Sequence, residues 1–476
     1  MPNSESRPVN GGSAGTLAHR VGAWQLMFFV IAAAAPLGFS LGAIPLLVGR
    51  GGVAGGAVVF LLAALVLAIF AVGYIAMAAR LSRVGGLYGF VSEGLGPMAG
   101  AGASYVALLV YACAAIGGGG AFAVFLDATA LDLLGFSMPW YFWALGMTLL
   151  IGVLGTRSVA VNARVLGVVI TLEVAILVVL SLAILLKGGP EGLSLIPVSP
   201  FGGIDSHAGV QFAIAISAFA GFEATVLYSR EAKDRKRTIR NATFGSLALM
   251  GGLYALVTWA IISAYGVSNA MNVANTESTT LFFTAANTYL GSWAVKVLEV
   301  LVVASWFASV LAFHNATARY LAAMASDGLV PRKLAFLHPR FGSPWVASIT
   351  MTCLALAVTC IFIAANGDPY LDLYVLGSAP AVIGIPALEV LASLAILAFF
   401  RRSGMEAHVF QRLIAPIVAS LLIGFVLITI LLQMDIFTGR TGWVNWIIPG
   451  SIVIAMLLGM VRFKGLKQTN TQNQPV

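Results

Sequence analysis

The chain has 476 residues, 60% of them hydrophobic and only 9% charged, with a mean hydropathy of +0.96. Soluble domains carry about 25% charged residues, so the composition excludes a soluble enzyme, a secreted disulfide scaffold and a disordered tail protein, and indicates an integral membrane protein. The formal charge of +8 fits basic loops on one side of a bilayer better than nucleic-acid binding. Cys113, Cys353 and Cys360 lie in apolar runs without metal-ligand spacing, as small buried hydrophobes do.

In chain order, residues 1–20 are polar and have no apolar core, which predicts a disordered cytoplasmic tail rather than a signal peptide. A bilayer core needs about 20 apolar residues per helix. Runs of that kind cover 21–49, 51–79, 94–126, 133–156, 165–186 and 208–229. Six more cover 241–266, 291–317, 343–366, 373–400, 413–434 and 441–460. The expected architecture is therefore all-α, with twelve transmembrane helices. Placing the N-terminus in the cytoplasm puts all but four of the 26 Lys and Arg residues inside, the exceptions being Arg50, Lys187, Lys296 and Arg440. That asymmetry orients the chain in the plasma membrane with both termini cytoplasmic. The densest cluster, Arg230, Lys233, Arg235, Lys236, Arg237 and Arg240, follows the sixth span and reads as a topology anchor on anionic lipid.

Two spans carry interruptions at matched depth. The first breaks at AAAAPLG, with Pro36 15 residues after Val21; the sixth breaks at AFAGFE, with Gly221 14 residues after His207. A five-helix unit reverses its orientation when repeated, so the pair predicts a 5+5 inverted repeat. The expected units are 21–187 and 207–402, followed by helices 11 and 12 over 403–462 and a cytoplasmic tail over 463–476. Interrupted segments in corresponding positions of two halves point to a central transporter site. The Gly117–Gly120 run has no following Lys and reads as close helix packing.

Four segments resemble the amino acid-polyamine-organocation transporter superfamily. They are FAGFEATVLYSREAKDRKRTI (residues 219–239), GGLYGFVSEGLGP from Gly85, NATARYLAAMASDGLVP (315–331) and HPRFGSPWVA from His338. Two departures stand out: the first break has Gly38, Phe39 and Ser40 where well-known members carry Gly-Ser-Gly, and Arg240 replaces a common Pro. The resemblance implies a leucine-transporter-like fold with helices 1 and 6 broken, and an amino acid permease-like activity.

The resemblance also implies the site. An unwound turn offers amides to a carboxylate and carbonyls to an ammonium. Amides of Phe39 and Ser40 would meet a carboxylate, and carbonyls of Pro36, Ser217 and Ala220 an ammonium. Ala35, Gly38, Ala218 and Gly221 complete the two breaks, and Phe219, Phe222 and Phe313 are the candidate aromatics over the substrate. The Phe39 ring crowds the carboxylate's approach, which leaves a simple amine open as substrate.

Glu173, Glu223, Glu299 and Glu389 fall inside spans, where a charge costs at least about 2.5–3.5 kcal/mol and marks a functional candidate. Glu299 has Lys296 one turn away, an ordinary i,i+3 pair. Glu223 follows the second break and Glu173 falls where some family members place an ionisable residue in lieu of sodium. With Glu389, which no family motif covers, and His314, they form the candidate proton-coupling set. Acids without a central Lys or Arg disfavour a net anionic substrate. No catalytic His/Asp grouping, phosphate-cradling GxxxxGK[ST] segment, metal cluster or cofactor motif is present in the sequence, so an enzyme is not expected. The leading expectation is a proton-coupled secondary transporter of an amino acid or related amine, working by alternating access. An amine or polyamine permease, an exchanger without proton coupling, and a transporter-like membrane sensor remain alternatives.

Overall fold

A computed structural model describes residues 22–81, 85–157, 159–199, 208–228, 232 and 234–472. The expected tail over 1–20, Arg230, Lys233 and the side chain of Arg235 lie outside the described residues. The helices run α1 (Ala23–Ala34), α2 (Pro36–Gly51), α3 (Val58–Ala78), α4 (Leu87–Leu95), α5 (Pro97–Leu134), α6 (Trp140–Gly155), α7 (Val159–Lys187) and α8 (Ala208–Ser217). After a 3₁₀ segment at Phe222–Tyr228 come α9 (Arg235–Tyr265), α10 (Ala270–Thr276), α11 (Leu281–Tyr289), α12 (Ser292–Ser326) and α13 (Trp345–Ala364). A wide helical turn at Pro369–Leu376 leads into α14 (Gly377–Ser403), followed by α15 (Ala415–Leu432), α16 (Met434–Thr438) and α17 (Val444–Gln472).

Among the described residues, eleven helical stretches are long and apolar enough to cross a membrane, α1 with α2 counting as one. The expected fourth span is instead α6, only 16 residues long. The difference arises at Gly135, which takes a left-handed conformation and ends α5 after Leu134, as a C-terminal glycine does. Leu133 and Leu134, apolar enough to be read as the start of the fourth span, therefore close the third. At the other end, α17 continues to Gln472, beyond the residue 462 expected as its limit.

The outer helices are apolar on both faces, which is the pattern of a lipid-facing helix. On α15, Leu421, Phe425, Ile428 and Leu432 are exposed, while Ala419, Ile423, Val426 and Ile430 are fully buried. The centre is α5, which packs on α4, α12, α14 and α17. Its glycine run makes those approaches possible. A Cβ on Gly120 would stand 2.1 Å from the Pro369 carbonyl oxygen, and one on Gly118 2.7 Å from Val310 Cγ2. Small residues let transmembrane helices close to backbone distance in this way.

Both interruptions have local causes. Ala35 sits at φ 47°, a left-handed conformation, and Pro36 opens α2. Proline has no amide to continue the α1 ladder, and it disfavours helical geometry in the residue before it. At the second, α8 stops at Ser217 and Gly221 turns at φ 99° before the 3₁₀ segment.

Gly120→Ala is expected to cost about 1–3 kcal/mol by overpacking, seen as a lower melting temperature in detergent. Gly146→Ala, in α6 with nothing within 4 Å of the added Cβ, should be neutral or slightly stabilising. Equal effects of the two would contradict the packing role of the α5 glycines.

Candidate functional site

The two interruptions touch. A Cβ on Gly221 would lie 2.8 Å from the Ala33 Cβ, so the left-handed glycine is also a point of close approach. Beside this contact lies a cavity of about 170 Å³. Ala33, Ala34, Ala35 and Phe39 form its wall on the first interruption, and Ile216, Ser217, Phe219 and Ala220 on the second. Trp306, Ser309 and Phe313 of α12 also line it, as do Tyr374, Ser378, Val382, Ile385 and Glu389; the Trp306 and Tyr374 rings meet edge-on, with centroids 4.8 Å apart.

A helix that begins inside a bilayer leaves amides that must find partners there. At the start of α2, Leu37 N donates to Glu173 Oε2 at 3.1 Å and Gly38 N to Ser305 Oγ at 3.2 Å. Ser305 Oγ in turn donates to Glu173 Oε2 at 2.8 Å. Glu173, fully buried on α7, thus caps the positive end of α2. The Phe39 amide donates to the Ala35 carbonyl at 2.7 Å, and Ser40 Oγ to the Pro36 carbonyl at 2.7 Å. The first-turn amides of Leu37, Gly38 and Phe39 are therefore all taken up within the protein in this conformation. Gly38 also admits the Trp306 indole, whose Cε2 would be 3.0 Å from an added Cβ.

Glu223 performs the equivalent service at the second interruption. Its Oε2 accepts from Gly221 N at 3.0 Å, and its Oε1 from the Tyr111 hydroxyl of α5. The Tyr74 hydroxyl of α3 donates to its backbone carbonyl. Tyr111 packs edge-on against Phe313, with ring centroids 5.7 Å apart. The turn that carries Glu223 is thereby tied to α3 and α5, and through Tyr111 to the cavity's aromatic wall.

Of the residues singled out in the sequence, Ala35, Phe39, Ser217, Phe219, Ala220, Phe313 and Glu389 line the cavity. Pro36, Gly38, Ser40, Ala218, Gly221 and Phe222 stand behind it, Phe222 packing edge-on against Phe70. His314 is buried and pairs with Ser348 of α13, Nε2 to Oγ 2.9 Å, away from the cavity. Glu299 lies near the N-terminal end of α12, within electrostatic reach of Asp132 as well as Lys296. Trp306, Ser309, Tyr374 and Ser378 were not read from the sequence as site residues. Two spacings carried a signal: Trp306 stands two turns before Phe313, and Ser378, Val382, Ile385 and Glu389 recur at 4, 3 and 4 residues, one face of a helix.

Residues 21–460 match the family described as Amino acid permease. Among similar proteins is an uncharacterized transporter of Mycobacterium tuberculosis, 30% identical over 174 residues, which are 35% of this chain and 38% of that relative. The branched-chain amino acid permease BcaP of Bacillus subtilis is 24% identical over 94% of this chain and 92% of its own. The low-affinity putrescine importer PlaP of Escherichia coli is 24% identical over 74% of this chain and 76% of its own. The aligned stretch spans well under half the length of the mycobacterial relative, whereas the family match runs almost end to end. A multi-pass membrane protein matched over residues 21–460, the chain belongs to the amino acid permease family.

Proposed function

We propose that the chain is a secondary active transporter, and not an enzyme, that moves an amino acid or related amine across the cytoplasmic membrane by alternating access, driven by protons. The observation that carries this reading is the cavity formed where two interrupted helices meet, in a chain that belongs to the amino acid permease family. The relatives' names, a branched-chain amino acid permease and a putrescine importer, support the substrate range. Both termini are cytoplasmic in this reading. Residues 21–187 and 207–402 form the inverted five-helix units, 403–462 form helices 11 and 12, and the pair α1/α2 and α8/222–228 rocks against the remaining helices.

Glu173 and Glu223 carry the coupling, one at each interruption. Each carboxyl accepts hydrogen bonds from the backbone at its turn, from Leu37 and Gly221 respectively. Protonation weakens a carboxyl as an acceptor and removes the charge that favours a helix N-terminus, an effect of about 0.3–1 kcal/mol and up to about 2 when partly buried. Binding and release of a proton would thus loosen and tighten the turns that wall the substrate. Ala35, Phe39, Ser217, Phe219, Ala220 and Phe313 contact the substrate, while Pro36, Gly38, Ser40, Ala218, Gly221 and Phe222 shape the turns. His314, hydrogen-bonded within the protein, takes a structural part.

In proteoliposomes with an inward proton gradient, the parent protein should accumulate at least one amino acid or amine. Glu173→Gln and Glu223→Gln should each lower that accumulation by about tenfold or more while the ligand still raises the melting temperature. Accumulation by both variants at the parent's level would refute the coupling, and no movement of any amino acid or amine by the parent would refute transport. Gly221→Ala, which places a Cβ 2.8 Å from Ala33 on a backbone at φ 99°, should also reduce uptake severely. Gly252→Ala, with nothing within 4 Å, should leave it intact.

A further inference from the structure

The buried carboxylates near the cavity are not alike. Glu223 accepts hydrogen bonds through both carboxyl oxygens, and Glu173 accepts two through Oε2, which anchors it to the turn, while its Oε1 has no partner. Glu389 is 2% exposed, and its Oε2 is buried with no hydrogen-bond partner. Its residue stands on the cavity wall. The described residues lining that cavity include no Lys, Arg or His. On its own helix the next cations are Arg401 and Arg402, twelve and thirteen residues on, or about 18 Å at 1.5 Å per residue. Arg402 already donates to the Gly94 carbonyl. A carboxylate withdrawn from water and within electrostatic reach of a second acid, Glu223, needs a cation or further donors, and neither reaches the Glu389 Oε2 from within the cavity wall.

The rest of the wall suits a cation too. Phe39, Phe219, Phe313, Trp306 and Tyr374 line the same space, and aromatic faces attract ammonium groups. A carboxylate ligand finds less there: the first-turn amides of Leu37, Gly38 and Phe39 are taken up by Glu173, Ser305 and Ala35, which leaves the unpaired Trp306 indole N–H as a neutral donor on the wall. The small volume suits a compact ligand. We propose that Glu389 is the specificity-determining carboxylate of this cavity, and that the substrate is a net cationic amine or an amino acid with a cationic side chain, whose ammonium hydrogen-bonds to Glu389 Oε2. This deepens the transport reading and rests on it.

Three probes separate the charges: lysine, net-neutral norleucine, which is lysine without its side-chain amino group, and 1,5-diaminopentane, which is lysine without its carboxylate. Ligand-induced stabilisation and uptake are measured on the full chain, purified and then reconstituted. Lysine and the diamine should bind the parent about tenfold or more tightly than norleucine, the worth of a charge-assisted hydrogen bond. Glu389→Gln should abolish that preference, and Glu389→Asp, which keeps the charge, should retain it. Norleucine binding as tightly as lysine to the parent would overturn the proposal, as would an unchanged preference in Glu389→Gln or equal loss in both variants. Binding of neutral or acidic amino acids without any binding of lysine or the diamine would overturn it and leave the transport reading standing. If no amino acid or amine binds or moves, the transport reading falls and this proposal with it.

Discussion

Every backbone amide inside a bilayer must be satisfied by the protein, because hydrocarbon offers no partner and an orphaned group costs several kcal/mol. A helix that stops and restarts at membrane depth breaks this rule locally, and the surrounding structure is organised around repairing it. Glu173 and Ser305 take the amides at the start of α2, and Glu223 takes that of Gly221. The repair requires carboxyls where a charge is itself expensive. Placing each against freed backbone donors offsets one cost with the other, and it fixes α7 to α2 and the second turn to α3 and α5. The cavity then follows, since two turns that cannot pack as regular helices leave space where they meet at Ala33 and Gly221.

The same constraint separates Glu389 from the other acids. Glu173 and Glu223 are explained by the turns they hold, whereas no interruption lies at Glu389 and no donor reaches its Oε2. A residue whose burial the fold does not repay is where a ligand's contribution is to be sought. In the proposed reading, substrate choice and coupling fall to different carboxyls within one small region, Glu389 toward the ligand and the other two toward the backbone.

Much of this was legible in the sequence because it has local causes. Pro36 and Gly221 announce their turns, since proline lacks an amide and glycine alone adopts φ 99° without strain. The acids stood out because charge is rare in an apolar run, and the glycine run of α5 signalled close packing, which Gly118 and Gly120 display. Tertiary partners were not legible. That Leu37 N donates to Glu173, that Ser305 relays between Gly38 and Glu173, and that Trp306 and Tyr374 wall the cavity all depend on which helix faces which. The fourth span was misplaced for a simpler reason: hydropathy cannot tell where one apolar helix ends and the next begins unless the turn at Gly135 is weighted above the leucines before it.

In the transport reading, the cavity between the two interruptions opens to each side of the membrane in turn. The test places one cysteine at Ser378, on the cavity wall, in a chain whose Cys113, Cys353 and Cys360 are replaced. A membrane-impermeant maleimide is then applied from either face of sealed vesicles. Labelling from both faces, slowed from both by a bound ligand, is the predicted result. Labelling from one face alone under every condition, or labelling indifferent to ligand, would contradict it.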